Sequence, residues 1–338
     1  MSNRLLIRDA PPPTVAVELA AHRVSAAALE FRGGRPVVVL HATEPLPEGA
    51  LVPSLVAPNI LGRTVVAEAL ARVLDHVGRP RRIGLVLPDP VAKVSLIRFG
   101  QLPARAEDLD QLVKWQVRKA APFPIDEAQV SYVAGARAVR TVSPGNPGTA
   151  TPGHPGMNDE GHEFVVTVAR RSVIQEYETL CAEAGAYAGL VDISTFNVIN
   201  ALLAGSAPPQ GDWLLVNVAT DYASLAILRQ ADLIVFRSRG VESDEKLTDL
   251  VHQTAMYYED RLQGTGFTQV LLSGASLHPA ADVDEVRRNL QERLGTAVET
   301  VDARGAAALT DRITAAPALL DTLAPLVGLL LRDRGAAA

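Results

Sequence analysis

The chain has 338 residues, 48% of them hydrophobic and 4% aromatic, and a formal net charge of −6. This length exceeds the size at which a single core stops growing, so two domains are expected, and the apolar content excludes a disordered protein. The mild charge, without a basic block, argues against a nucleic-acid partner, and the single Cys181 excludes an internal disulfide and a cysteine metal cluster.

The sequence predicts no segment that inserts directly into a membrane. No apolar run approaches the ~20 residues that cross a bilayer, and residues 1–13 lack the apolar centre of a signal peptide. Residues 1–13 are predicted to form a flexible lead, and Pro11, Pro12 and Pro13 at its end favour a stiff, extended approach to the first strand. We therefore expect a cytoplasmic protein whose attachment to a membrane would come through a partner.

Hydrophobic periodicity predicts strands and helices along the whole chain. Strands are expected at residues 14–19, 24–31, 36–42, 82–87, 91–99, 129–139, 164–168, 187–193, 213–218, 223–229, 233–237, 268–272 and 297–301. Helices are expected at residues 61–77, 107–120, 172–184, 195–203, 242–263, 283–294 and 324–331. Residues 143–161 are rich in Pro, Gly, Thr and Asn and are predicted to form a flexible surface loop.

The order of these elements occurs twice, which predicts an α/β fold of two duplicated β-β-β-α-β-α-β-α domains. The first domain is placed at residues 14–204 and the second at 212–332, followed by a tail at 333–338. Extra elements at about 89–187 are interpreted as an inserted subdomain of the first domain. Each domain begins with a hairpin, at residues 15–29 and 214–228, and paired domains of this kind commonly hold a ligand in the cleft between them.

This arrangement resembles the actin-like ATPase superfamily and, at finer grain, the PilM family of type IV pilus assembly proteins, relatives of the cell-division protein FtsA. The resemblance spans residues 14–332. It is carried by the two hairpins, by residues 109–132, and by the sequence GLLLR at 328–332, which is similar to the family's GLALR. The most specific stretch is 109–132, where Trp115 and the sequence APFPIDE at 121–127 resemble the family's Trp-containing helix and its IPFPLDE motif.

The resemblance implies a nucleotide site whose pattern this chain does not keep. Members that bind ATP have Asp-Ile-Gly-Ser in the first phosphate hairpin, where the Asp acts through magnesium and the Gly lets the backbone approach the phosphates. This chain has Glu18, Leu19, Ala20 and Ala21 there. Glu18 could hold magnesium or bond to nearby backbone amides, and His22 could touch a phosphate or simply face solvent.

The second hairpin and the adenosine region also lack residues that ATP-binding members have. Asn217 replaces the second acid and Ala219 the second Gly, while Asp221 either compensates or is an ordinary charged turn residue. The adenosine-region Gly-Gly is replaced by Ser273 and Gly274, followed by Ala275. We therefore expect no cofactor and no catalytic residues, and ATP with magnesium is disfavoured. Asp192, before the helix at 195, resembles an acid of the family's connecting segment and is expected to cap that helix.

The resemblance also implies a partner. PilM-type proteins bind the short N-terminal tail of the inner-membrane protein PilN, so we expect a scaffold of the pilus machine held at the inner membrane by such a tail. Its groove is expected between the first domain and the insert, within about residues 91–132. Leu112, Trp115, Val130 and Tyr132 are the candidate walls, although Trp115 could equally belong to the core. Pilus motor ATPases are further candidate partners, and self-association stays open.

Two alternatives remain. An active actin-like ATPase or kinase-like phosphotransferase would need acids that hold magnesium and position the nucleophile, and Asn217 speaks against it. A cytoplasmic platform of type II secretion is a related possibility, although that protein normally continues into a membrane span. The seven histidines are scattered singly, so no metal ion site is expected.

Overall fold

A computed structural model describes residues 12–137, 161–240, 247–278 and 282–332. The lead predicted at 1–13 and the loop predicted at 143–161 lie almost wholly outside these residues, and the tail at 333–338 lies wholly outside. So do the first residues of the helix predicted at 242–263. The described part of the chain contains fourteen strands and seven α-helices.

The secondary structure follows the predicted order. The strands are β1 (Val15–Ala20), β2 (Arg23–Arg32), β3 (Arg35–Pro45), β4 (Arg82–Leu87), β5 (Ala92–Phe99), β6 (Ala128–Arg137), β7 (His162–Arg170), β8 (Tyr187–Ile193), β9 (Asp212–Val218), β10 (Tyr222–Arg229), β11 (Asp232–Gly240), β12 (Gln269–Ser273), β13 (Val298–Thr300) and β14 (Ala308–Leu309). The helices are α1 (Arg63–His76), α2 (Ala106–Val117), α3 (Arg171–Glu183), α4 (Ser194–Gly205), α5 (Leu247–Leu262), α6 (Val283–Leu294) and α7 (Pro317–Leu331).

Two sheets share one strand order, which confirms the predicted duplication. The first sheet runs β14-β3-β2-β1-β4-β8 and the second β11-β10-β9-β12-β13. In each, an antiparallel hairpin is followed by parallel strands, β1 beside β4 and β9 beside β12. The outer helices α1 and α3 bury their apolar faces on the first sheet, and α5 and α6 bury theirs on the second.

The insert is a three-stranded antiparallel sheet, β5-β7-β6, covered by α2. Val113 and Val117 of α2 pack on Phe164 and Val166 of β7. The predicted insert at about 89–187 included helix α3. In the structure, α3 buries Tyr177 in the core of the first sheet instead. The domain limits given above stay a prediction, but the structure groups α3 with the first sheet.

The inner helices α4 and α7 form a layer between the two sheets. Helix α7 begins at Pro317 rather than at residue 324, with a proline in its first turn where no backbone N–H is needed. It continues through Pro325 and packs on α4 at Gly328, where a β-carbon would lie 1.7 Å from the carbonyl oxygen of Asn197. Strand β14, which precedes α7, pairs with β3 and so adds a strand from the second half of the chain to the first sheet.

None of the helices in the described ranges has both the length and the apolar character that crossing a membrane requires.

Candidate functional site

The two hairpins that correspond to the family's phosphate hairpins lie close to each other where the two sheets meet. In the first, Glu18 on β1 is buried, and its Oε2 accepts a hydrogen bond of 2.7 Å from Nη2 of Arg23 on β2. Its Oε1 accepts a longer one, 3.4 Å, from the hydroxyl of Ser194 at the start of α4. The carboxylate that the resemblance assigns to magnesium is therefore held by a cation of the chain itself.

The carboxyl group of Asp221, in the turn of the second hairpin, interacts electrostatically with basic residues of the first hairpin. Burial raises the pKa of its carboxyl group, while the nearby charges of His22 and Arg23 lower that pKa. His22 lies in the turn after β1 and Arg23 begins β2, so the guanidinium of Arg23 lies close to acids of both hairpins. It takes part in an ion pair with one and acts electrostatically on the other.

A buried polar network lies beside this pair and joins the two halves. Asp89, with no exposed surface, accepts a 3.0 Å hydrogen bond from the backbone N–H of Thr195 and another from its hydroxyl. The same hydroxyl accepts a 2.8 Å bond from Nδ2 of Asn217 on β9. Asp89 thus binds the first turn of α4, where helix amides favour an anion, and Asn217 ties the second sheet to it.

The adenosine-region residues lie next to Asn217. Ser273 ends β12 directly opposite Asn217 in the parallel ladder and is buried. Gly274 follows with φ of 79°, and a β-carbon there would stand 2.0 Å from the carbonyl oxygen of Val218. Glycine is therefore required at this position by the crossing of two backbone segments, whatever the site binds.

The structure brings the six predicted nucleotide-site residues, Glu18, His22, Asn217, Asp221, Ser273 and Gly274, to the inner ends of the two hairpins and of β12. Sequence reasoning missed three partners of this set, Arg23, Asp89 and Thr195. Asp192 also differs from expectation, because its carboxylate binds the N–H of Ile193 and the guanidinium of Arg332, while Asp89 binds the first turn of α4. Within the described ranges, no group of three or more His, Cys, Asp or Glu residues could hold a metal ion.

A second feature is a groove of about 470 Å³ between the insert and the inner elements of both sheets. One wall is the face of the insert sheet turned away from α2, and the opposite wall is β8 with α4. The turn between β10 and β11 closes the base. Its apolar lining includes Val133, Val165, Leu190, Ile193, Phe196 and Leu233. Phe196 of α4 also packs edge-on against Phe236 of β11, which ties the α4 wall to the second sheet.

No family model matches the chain. Among solved structures, a chain of the "PilM-PilN type IV pilus biogenesis complex" superposes with a TM-score of 0.75 at 16% sequence identity, over 95% of this chain and 99% of that chain. The chain has the actin-like fold in the form found in that complex.

Two further structures superpose less well. A Bacteroides thetaiotaomicron protein with an actin-like ATPase fold gives a TM-score of 0.46 at 10% identity, over 85% of this chain and 90% of that one. The cytoplasmic domain of EpsL, an inner-membrane component of the Vibrio cholerae type II secretion system, gives 0.47 at 9%, over 96% and 94%. Likenesses at this level carry no argument about function.

The four predicted partner-binding residues do not share one wall of the groove. Strand β6 alternates, so that Val130 and Tyr132 turn towards α2, while Ser131 and Val133 line the groove. The Tyr132 hydroxyl bonds to Asp110 of α2, although part of the residue also borders the groove. Leu112 packs against the insert core, and Trp115 is 66% exposed on α2.

Proposed function

We propose that the chain is a PilM-type scaffold of the type IV pilus machinery, which binds the N-terminal tail of a PilN-type inner-membrane protein. In this proposal the tail lies in the groove and holds the protein at the cytoplasmic face of the inner membrane. The groove is the observation that carries the proposal, because a cleft with an apolar lining suits a short peptide with apolar anchors. The similarity to a chain of the PilM-PilN complex supports the same partner.

We further propose that the cleft between the hairpins no longer binds nucleotide. The Glu18–Arg23 ion pair and the buried link from Asp89 through Thr195 to Asn217 support this. Magnesium would have to displace the guanidinium from Glu18 and would find an amide in place of the second acid. The residues present do not fit a magnesium nucleotide, and an active ATPase or phosphotransferase is the alternative that this proposal rejects.

Calorimetric titration with a synthetic peptide of the PilN-type tail tests the proposed docking. Val133, 55% exposed on the groove side of β6, is the informative position. A carboxylate there would lose hydration when the tail binds. We expect binding by the wild type and at least about tenfold weaker binding by Val133→Asp, which corresponds to about 1.4 kcal/mol.

Trp115→Ala is the control, since Trp115 is also largely exposed, at 66%, but lies on α2, away from the groove. Its affinity should stay within about twofold of the wild type. No heat from the wild type at high micromolar peptide would reject tail binding altogether. Loss of binding in Trp115→Ala but not in Val133→Asp would move the docking site from the groove to α2.

A further inference from the structure

The four outer edges of the two duplicated sheets differ in how they are protected from pairing with another chain. In the first sheet, β3 is covered by β14. In the second sheet, β11 packs on β5 and β6 of the insert, and the opposite edge strand, β13, is three residues long with Glu299 exposed. Short strands, charged residues and covering elements are the usual ways in which proteins prevent an edge from pairing with another chain.

Among the described residues, none gives strand β8 these protections over most of its length. It has seven residues and, within the described part of the chain, pairs with β4 alone. Its first five residues, Tyr187 to Val191, carry no charge, and the first acid is Asp192. Strand β13 holds the equivalent place in the second sheet, so the two edge strands can be compared directly. Strand β8, next to the groove, is longer than β13, and its first five residues are uncharged.

The edge of β8 opens into the groove. Leu190, Val191 and Ile193 line it, opposite the apolar face of the insert sheet. In a strand, alternate residues turn their N–H and C=O groups away from the partner strand, so β8 offers backbone donors and acceptors along this wall. Side chains of an extended segment paired there would alternate between the insert face and the α4 side of the groove.

We infer that an extended segment of the partner tail adds to the edge of β8 as a further strand of the first sheet. This inference rests on the proposed function and specifies how the tail is recognised: by main-chain hydrogen bonds to β8, with apolar side chains filling the groove. The occupant is the N-terminal tail of an inner-membrane protein.

The charges around the groove suit such a tail. Asp232 lines its base and is exposed, and Asp192 stands at the end of β8 in an ion pair with Arg332. Burial raises the pKa of the nearby Glu163, the charge of Arg98 lowers that pKa, and the charge of Asp232 raises it. Since Asp232 affects this pKa, the carboxyl group of Glu163 lies close to it. Cytoplasmic segments next to a membrane span are rich in Lys and Arg, which complement these acids.

N-methylation of the tail peptide, one backbone amide at a time, tests the strand pairing. Only every second amide of an added strand bonds to β8, so methylation is expected to weaken binding about tenfold at alternate positions and little between them. Hydrogen exchange provides the protein-side measurement: amides of β8 should become protected when the peptide binds. Amides of β13, the equivalent strand of the second sheet, should not change.

The outcomes separate this inference from the proposed function. If the unmodified peptide binds but no methylation pattern with a period of two appears, strand addition is wrong and tail docking stands. If the unmodified peptide does not bind, the proposed function fails and strand addition fails with it. Protection of β8 in concentrated protein without peptide, together with dimers in sedimentation, would make a second copy of this chain the occupant and overturn the inference.

Discussion

The buried carboxyl group of Asp89 has a raised pKa. Burial raises the pKa of its carboxyl group to about 6 from an ordinary 3.8, although its hydrogen bonds lower it. An acid whose pKa is raised by folding contributes stability that is fully present below the unfolded value and lost as the pH rises through the folded value. At neutral pH the ionised Asp89 therefore opposes folding.

Replacing Asp89 by Asn tests this at the scale of one residue. The amide keeps the shape of the side chain and an oxygen for the N–H of Thr195, but it removes the charge. Asp89→Asn is expected to unfold with a free energy higher than that of the wild type by up to about 3 kcal/mol at pH 8, with the difference closing near pH 4. Urea unfolding of both proteins across this range measures it.

The control is Asp75→Asn. Asp75 is exposed, and its pKa is lowered, chiefly by a hydrogen bond from Arg79, so its replacement should bring no gain in stability as the pH rises. A less stable Asp89→Asn at pH 8 would contradict the prediction, because it would mean that Thr195 requires the carboxylate rather than merely tolerating it.

Sequence reasoning located the residues of the cleft better than their roles. The duplicated hairpins predicted two related domains with a cleft between them, and the resemblance named Glu18 and Asn217 as candidates for a degenerate nucleotide site there. Sequence reasoning missed Arg23 because only the strand pairing shows that this side chain folds back onto Glu18. Asp89 lies in a short turn between two prolines, far along the chain from Thr195, and periodicity carries no information about such a contact.

Among the elements, the crossing of α4 and α7 depends on one small residue. At Gly328 a β-carbon would approach the Asn197 carbonyl oxygen to 1.7 Å and the Ala201 nitrogen to 2.9 Å, and both are backbone atoms that cannot move separately from their helix. Gly328→Ala is therefore expected to lower the free energy of unfolding by about 3 kcal/mol, as overpacking of a buried contact does. Urea denaturation gives the comparison.

Gly100→Ala is the matched substitution for this measurement. No atom lies within 4 Å of the position that its β-carbon would take, so the change should stay within about 0.5 kcal/mol. Equal losses in the two variants would mean that the cost comes from the chain's response to alanine in general and not from the helix crossing.

The elements themselves were largely predictable, because strands and helices that face a core keep their periods of two and of 3.6. The start of α7 was not, since a proline such as Pro325 normally marks a helix beginning and here lies inside one. Strand β14 has two residues, too few for any period. The groove was placed near the insert, but its walls come from segments far apart in sequence, and the alternation in β6 does not tell which face meets the groove.

At the scale of the whole molecule, the proposal that the cleft between the hairpins binds no nucleotide predicts that ATP does not stabilise the protein. A ligand present at 100 times its dissociation constant would stabilise the folded state by about 2.7 kcal/mol, which is several degrees in melting temperature for a protein of this size. We expect ATP with magnesium to leave the melting temperature unchanged. Absorbance of the supernatant after denaturing the purified protein should likewise show no released nucleotide.

A rise of several degrees with ATP and magnesium would restore the ATPase interpretation and reject the proposal that the cleft binds no nucleotide. The proposed role of the cleft depends on this result. Tail binding does not, because none of the six predicted nucleotide-site residues lines the groove.

The return of the chain to its first sheet has a consequence for biosynthesis. Strand β1 begins at Val15, yet the helix that covers its inner face, α7, ends at Leu331. While the ribosome is still making the second half, the inner face of the first sheet is covered only in part, by α4, in the nascent chain. Contacts so distant in sequence form slowly and leave apolar surface open to aggregation in the meantime. The emerging first half should therefore be a client for chaperones until α7 arrives.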